Sequence, residues 1–262
     1  MTSGKPRTRT VRGKIPTKTV LGIPIVALRL KEISSVVVKL IETSGKKTFF
    51  YVNAHCLNIA GKDHVYKKIL QRGTLVYADG MGPILASRIL GRPLLERTSA
   101  PDFIEEIFDI AQEKKWSFYL LGGEADVVQK AAKFLQKKFP RLKIAGYSPG
   151  FFAGNNEIIE KINRAKPDIV LVGIGTPRQE KWIADNINRV NADTFWAVGG
   201  LFDFFSGKRK RAPIWVQRLG FEWAFRLAQE PRRLWKRYLF GNIHFLLTVF
   251  GETKFFSQKT SH

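Results

Sequence analysis

From residue 47 onward the chain alternates between two kinds of hydrophobic pattern. Short apolar runs rich in β-branched and aromatic residues occur at KTFFYVN (47–53), TLVYADG (74–80), SFYLLGG (117–123), LKIAGYS (142–148), DIVLVGIG (168–175) and DTFWAVGG (193–200). Between most of them lie amphipathic stretches of helical length, such as 101–115 and 124–138. In the second stretch Val127, Ala131, Phe134 and Leu135 share one face while the lysines point away. Strands alternating with helices specify βαβ units, hence an α/β fold with a mostly parallel, doubly wound sheet. The strands read as continuous apolar runs, as expected when helices cover both faces of the sheet.

The strand ends share a character. Asn53, Asp79, the Gly122–Gly123 pair, the Gly175–Thr176 pair and the Gly199–Gly200 pair each follow one predicted strand. Ligands of open α/β sheets bind outside the carboxyl ends of the strands. Five such ends point to a single cleft; the competing reading is that the glycines only make tight turns.

Past residue 206 the texture changes. Residues 211–230 read as one helix, with Trp215, Leu219, Trp223 and Leu227 on one stripe and Arg211, Arg218, Glu222 and Arg226 on another. Pro231 suits the first turn of a further helix over 231–250, where Arg and Lys interleave with Trp235, Tyr238, Leu239 and Phe240. That mixture is the composition of an interfacial membrane segment. A helical hairpin with a solvated basic face and a groove for single-stranded nucleic acid are the two other readings. Residues 1–19 lack apolar periodicity and read as a flexible basic arm. The expected division is therefore an arm over 1–19, an α/β domain over 20–206, a basic, aromatic-rich helical appendage over 207–252 and a flexible tail over 253–262.

Charge sharpens this picture. The 262 residues carry a net charge of +22. Residues 1–18 hold six Lys or Arg and no acid, and residues 207–241 hold ten against Glu222 and Glu230, so +14 of the +22 sits in these two segments. Such a surface seeks nucleic acid, anionic lipid or a phosphorylated substrate. No apolar run approaches the roughly 18–20 residues that span a bilayer, and no hydrophobic segment follows the N-terminal charges as in a signal peptide. A cytoplasmic protein, seated on a membrane or free of it, is expected. Cys56 is the single cysteine, which rules out an intramolecular disulfide and reads as a packed thiol. The four histidines and one cysteine show no metal-ligand spacing, so neither a metal site nor a cofactor is expected.

Candidate chemistry gathers at the strand ends. Asp79, flanked by Gly80 and Gly82, is either a general base or the N-cap of a helix from residue 81. Asn53 is either an amide ligand or the N-cap of a helix over 55–70. LLGGEADVVQKAA and VGIGTPRQEKW are strand–turn–helix segments whose exposed amides could receive a diphosphate. Neither has the full dinucleotide fingerprint or a Walker lysine. In the second, Thr176 can cap and Pro177 can open the helix. Arg178 opposes the dipole of its own helix, which an anionic ligand or plain surface exposure accounts for. Arg97, in LLERTSAPD, pairs a phosphate or is solvated.

The blocks VNAH, YADGMG, GRPLLERTSAPDF, LLGGEADV, GIGTPRQEKWI, AVGGLFDFFSGKRKRAP and LGFEWAFRLAQEPRRLWKRYLFGN occur in an order and spacing that resemble the WecG/TagA/CpsF family of bacterial glycosyltransferases, family 26. The resemblance runs from about Leu21 to Phe250 and leaves out the N-terminal arm. It implies a Rossmann-like fold of the GT-E type whose helical C-terminal appendage binds the membrane and completes the active site. It also implies a metal-independent, inverting transfer of an N-acetylmannosamine-type sugar, or of another UDP-hexose or uronic acid. The donor would be a UDP-sugar and the acceptor a polyprenyl-diphosphate-linked sugar, at the inner face of the cytoplasmic membrane, in cell-envelope polysaccharide or teichoic-acid-type synthesis. Nucleic acid is not an implied partner, and self-association within the family leaves a homo-oligomer open.

By position, the resemblance assigns Asp79 as the base for the acceptor hydroxyl, with Asn53 near the sugar and Gln179 as the motif glutamine. Arg97 becomes a candidate contact for diphosphate or acceptor, Asp203 lies near the nucleotide base, and Arg226, Arg232 and Arg233 meet diphosphate or lipid phosphates. Two positions depart from the pattern: Tyr51-Val52-Asn53 stands where many members carry Thr-Pro-Asn or a similar triplet, and His55 where glutamate is common.

Overall fold

The computed structural model describes residues 15–152 and 154–259. The chain enters through an antiparallel hairpin, β1 (Thr17–Val20) and β2 (Ile23–Val26), followed by α1 (Leu30–Ile41). The alternating core then begins with β3 (Lys47–Val52), α2 (Ala54–Lys62), α3 (His64–Arg72), β4 (Leu75–Ala78), α4 (Met81–Ile89) and α5 (Ala100–Lys114). It continues through β5 (Ser117–Gly122), α6 (Ala125–Lys138), β6 (Lys143–Ser148), α7 (Asn155–Ala165), β7 (Ile169–Gly173), α8 (Arg178–Asn186), β8 (Thr194–Ala197) and α9 (Leu201–Phe205). Three more helices complete the chain: α10 (Ile214–Arg218), α11 (Glu222–Gln229) and α12 (Pro231–Lys259).

The six expected strands form one sheet in the order β4-β3-β8-β7-β5-β6, every pair parallel. Period-2 geometry divides their side chains between two faces. Phe50, Val52, Tyr119, Leu121, Val170, Val172 and Phe195 pack on one side, where α2, α3, α7, α8 and α12 lie. Phe49, Tyr77, Phe118, Leu120, Leu171 and Trp196 pack on the other, under α1, α5 and α6. Both layers are apolar, which is why the inner strands show no alternation, whereas the edge strand β6 alternates exposed and half-buried residues. Phe134 departs from its expected face: it is 39% exposed and stacks on Phe205 instead of entering the core.

Local chemistry moves several expected boundaries. Strand β1 occupies part of the expected arm, because Val20, Ile23 and Ile25 bury fully against the core; residues 1–14 lie outside the described residues. The helix expected over 55–70 is two helices, since Asp63 ends α2 and its carboxylate accepts from the Tyr66 amide to cap α3. The helix expected over 211–230 is also two, broken at Gly220, whose φ of +79° no helix accommodates. Helix α12 runs to Lys259, past the expected boundary at 252, and residues 260–262 lie outside the described residues. Among the described residues no helix is long and apolar enough to cross a membrane.

Candidate active site

The strand order places the carboxyl ends of β3, β4, β5, β7 and β8 along one edge, and a polar cavity of about 380 Å³ opens there. Asn53, Asp79, Gly123, Gly175, Thr176, Gly199, Gly200 and Asp203 all line it. The appendage closes its far side with Glu222, Arg226, Arg233 and Arg237. A second, mostly apolar cavity of about 510 Å³ lies between α2, α4 and the appendage, lined by Met81, Leu85, Trp223, Leu239, Ile243 and Leu246 among others. The two cavities meet at Asp79, Asn53, Glu222, Arg226 and Arg237, which line both.

Asp79 is not a helix cap. The residue that caps α4 is Gly80, with φ +75°, and no side chain bonds its first amides. Backbone bonds pin the strand end: the Asp79 amide donates to Val52 O and the Thr98 amide to Ala78 O, each at 2.8 Å. The Ser99 hydroxyl donates to Asp79 Oδ1 at 2.6 Å and the Asn53 amide to Oδ2 at 3.3 Å. The carboxylate is thus oriented on one oxygen and only weakly held on the other, which suits a proton acceptor. Of its two readings Asn53 takes that of N-cap: its Oδ1 caps α2 by accepting from the Cys56 amide at 3.1 Å.

Beneath the cleft floor lies a buried polar network. Glu180 accepts from the Thr176 hydroxyl and from the Gln179 amide, each at 2.9 Å. Gln179 Oε1 in turn accepts from the Gly199 amide at 3.1 Å, and the Tyr51 hydroxyl stands 3.1 Å from Thr176 Oγ1. Gln179 is fully buried and does not line the cleft; it joins the two glycine loops from below. Burial pushes the Glu180 carboxyl up to about 6 and raises the Tyr51 phenol well above its ordinary range. On the apolar side burial, and after it the Arg237 charge, lower the His55 imidazole to about 4, so it is neutral at physiological pH.

The cationic groups divide into paired and unpaired. Arg209 is bound to Asp203 and to Glu230, 2.9 Å from each. Arg226 and Arg237 face the junction of the cavities with no ion pair among the described residues, and each has its Nε buried without a hydrogen-bond partner. Unsatisfied buried guanidinium donors are costly unless a ligand supplies acceptors. An anion with several oxygens fits that position. Glu222, its carboxyl pushed up first by burial and next by the nearby Asp79, faces the same space.

Four expected ligand contacts stand elsewhere. Arg97 does not line the cleft; it pairs with Glu222 at 3.1 Å and Asp102 at 3.4 Å. Arg178 and Arg232 are exposed and outside both cavities, so of the two readings of Arg178 plain surface exposure holds. Gly122 is a packing position: at φ +152° a Cβ on it would lie 2.4 Å from Gly173 O. The residues that sequence reasoning passed over are Ser99, whose Ser-Ala-Pro-Asp context reads only as a helix start, and Arg209, Glu222 and Arg237. Arg209 and Arg237 sit in a basic run where nothing in the pattern singles them out, and Glu222, one of two acids in that run, entered only as a charge and as part of a helix stripe.

Known proteins bear on this geometry. The model of the family described as "Glycosyl transferase WecG/TagA/CpsF family" matches residues 18–259. A Bacillus subtilis protein named N-acetylglucosaminyldiphosphoundecaprenol N-acetyl-beta-D-mannosaminyltransferase is 36% identical over 203 residues, 78% of each chain. A Staphylococcus aureus protein of the same name is 30% identical over 182 residues, covering 70% of this chain and 72% of that one. The match takes in both the sheet that carries Asp79 and the appendage that carries Arg226 and Arg237, so the chain belongs, over nearly its whole length, to the WecG/TagA/CpsF family of glycosyltransferases.

Proposed function

We propose that this chain transfers an N-acetylmannosamine-type sugar, with inversion, from a UDP-sugar to a polyprenyl-diphosphate-linked sugar. The observation that carries this reading is the position of Asp79, where a polar cavity rimmed by arginine meets an apolar one. The polar cavity suits the sugar nucleotide and the apolar cavity the first isoprene units of the acceptor. The names of the relatives, which specify an N-acetylglucosaminyldiphosphoundecaprenol acceptor and an N-acetylmannosaminyl group, support the same assignment.

In this mechanism Asp79 takes the proton of the acceptor hydroxyl as that oxygen attacks the anomeric carbon. The bond from that carbon to the UDP oxygen breaks on the opposite face. Ser99 and Asn53 hold the carboxylate in line. Charge builds on the departing diphosphate, and the guanidinium groups of Arg226 and Arg237, unpaired among the described residues, face the space where it leaves. Arg233 is exposed at the cavity rim, but its charge is already paired with Glu230 at 2.5 Å. No metal enters the scheme.

The acceptor is a lipid, and the appendage has the surface to meet a bilayer. Ile214, Trp215, Leu219, Phe240 and Leu247 are each more than 60% exposed, and basic residues stand among them. Isolated exposed apolar residues are ordinary, but a concentration on one appendage marks an interaction surface. This favours lipid over nucleic acid, as does the inward direction of Arg209 and Arg226. The test is UDP release from a panel of UDP-sugars with a polyprenyl-diphosphate-N-acetylglucosamine acceptor in anionic vesicles. Turnover with UDP-N-acetylmannosamine above all other donors is the expected result, and release without acceptor dependence would overturn the reading.

A further inference from the structure

Arg97 ties together two parts of the site that no strand or helix joins. It lies in the connection between α4 and α5, and it donates from Nη1 to Glu222 Oε2 and from Nη2 to Gln217 Oε1, both at 3.1 Å. Gln217 belongs to α10 and Glu222 opens α11, so both acceptors are in the appendage. On the domain side Arg97 Nη2 stands 3.4 Å from Asp102 Oδ2, and Asp102 also pairs with Arg211. Two residues beyond Arg97, Ser99 holds the Asp79 carboxylate, while Thr98 between them is bonded to the end of β4. The three consecutive residues 97–99 are therefore attached to the appendage at one end and to Asp79 at the other.

The chemistry of the pair favours a structural lock over a ligand contact. The side chains of Arg97 and Glu222 are 17% and 25% exposed, so the pair is shielded from most of the screening that weakens surface ion pairs. Arginine's planar fork is suited to joining several acceptors in a fixed geometry. Here both arms of the fork are occupied by protein oxygens, whereas Arg226 and Arg237 have no ion pair among the described residues. Glu222 also sits in the first turn of α11, where the helix dipole favours a carboxylate.

We propose that Arg97 and Glu222 form a latch that couples the seating of the appendage to the orientation of Asp79, making both of them positioning residues. The proposal rests on Asp79 being the base of the reaction. The latch transmits the seating of α11 through residues 97–99 to the Ser99–Asp79 bond, so turnover waits on the docking of the appendage.

The test is a double-mutant cycle on the full chain with Arg97→Gln, Glu222→Gln and the pair, read by steady-state kinetics and by hydrogen exchange over residues 214–229. The latch gives a fall of about 10-fold or more in kcat for each single variant, donor KM within about twofold of wild type, and a double variant no worse than the poorer single. Both single variants also speed exchange in α10 and α11. Arg97→Lys, which keeps a donor for Glu222, gives a smaller rise and guards against a variant that merely fails to fold. A raised donor KM in Arg97→Gln with Glu222→Gln near wild type would mark Arg97 as a diphosphate contact and overturn the latch. Multiplicative losses in the double variant, or unchanged exchange, would overturn it too. Asp79→Asn separates the two readings: retained activity there sinks the assigned base, while the exchange data still decide whether the latch exists.

Discussion

Ser99 donates its hydroxyl to Asp79 Oδ1 at 2.6 Å, although Ser99 is also the N-cap residue of α5 and leaves the first amides of that helix without a side-chain cap. An unused cap forgoes about 1 kcal/mol of helix stability. The hydroxyl is therefore spent on orienting a carboxylate rather than on its own helix. Removing the carboxylate's basicity with Asp79→Asn is expected to lower kcat by about 10²–10⁴-fold, the range of general-base catalysis. Ser99→Ala leaves the base present but unoriented and is expected to lower kcat by about 10-fold. Because no cap is lost, its melting temperature stays close to wild type. Steady-state kinetics and a thermal melt check both variants, and a wild-type kcat in Ser99→Ala would show that the hydroxyl does not orient the base.

Two glycines at the strand ends hold the cleft by close packing, although Gly122 was expected as a ligand contact. A Cβ on Gly122 would meet Gly173 O at 2.4 Å, and one on Gly199 would meet the Tyr51 hydroxyl at 2.5 Å with φ at +56°. The first neighbour is backbone and cannot withdraw; the second is a side chain whose hydroxyl also contacts Thr176. Gly122→Ala is expected to destabilise by about 3 kcal/mol or more, through strand separation between β5 and β7. Gly199→Ala is expected to cost about 1–3 kcal/mol and to reduce turnover through displaced Tyr51. Urea denaturation of both variants, with activity measured on the folded fraction, checks the order.

How legible the molecule was follows from which interactions are local. The parallel sheet was readable because Phe49, Leu120, Leu171 and Trp196 and their neighbours form unbroken apolar runs, and helices on both faces are what such runs require. The cleft was readable because strand ends converge by topology, whatever their partners. The hairpin β1–β2 was not, since Thr17, Lys18 and Thr19 of β1 are exposed and polar and read as a continuation of the basic arm. Arg97 was misplaced for a different reason: its acceptors, Glu222 and Gln217, are more than 100 residues away, and a loop arginine looks the same whether it meets a phosphate or a carboxylate. Arg237 was hidden by company, being one basic residue among ten.

The donor diphosphate is expected to be neutralised by arginine, not by a divalent cation. Among the described residues no group of three or more His, Cys, Asp or Glu is arranged to hold a metal, while Arg226 and Arg237 present unpaired donors. Chelator is expected to leave turnover unchanged. Replacing Arg226 or Arg237 with alanine removes a transition-state contact and is expected to lower kcat by about 10²-fold with a smaller change in donor KM. Strong inhibition by chelator would reverse this assignment.

Membrane docking is expected to depend on the exposed apolar residues of α10. Trp215 is 66% exposed, with Ile214 and Leu219 exposed to a similar degree on the same short segment. Burying one large apolar side chain contributes about 1.5–3 kcal/mol. Replacing all three with serine is expected to weaken binding to anionic vesicles by roughly 10²-fold or more while leaving the fold intact. Co-sedimentation of the full-length variant with vesicles of stated anionic content measures this, and unchanged binding would move the docking surface elsewhere.

Glu180 predicts a pH-dependent stability that can be worked out in sign. Its carboxyl is pushed up by burial from 4.5 to about 6, and Oε2 is buried with no hydrogen-bond partner. Between those two values the folded protein binds more protons than the unfolded chain, so this group makes stability fall as pH rises through the window. Above the folded value the full deficit, about 2 kcal/mol, is present. His55 acts oppositely: its imidazole is lowered from 6.5 to about 4, so its contribution is complete above the upper value and is lost as pH falls. The two slopes overlap in wild type, and a variant at one site separates them. Glu180→Gln keeps an oxygen to accept from Thr176 and Gln179 but never ionises. It is therefore expected to be about 1–2 kcal/mol more stable than wild type at pH 8 and close to wild type at pH 4.5. Urea midpoints at the two pH values supply the comparison. An offset that does not change with pH would mean that Glu180 is not held protonated by its burial, and that Thr176 and Gln179 are enough to stabilise its charge.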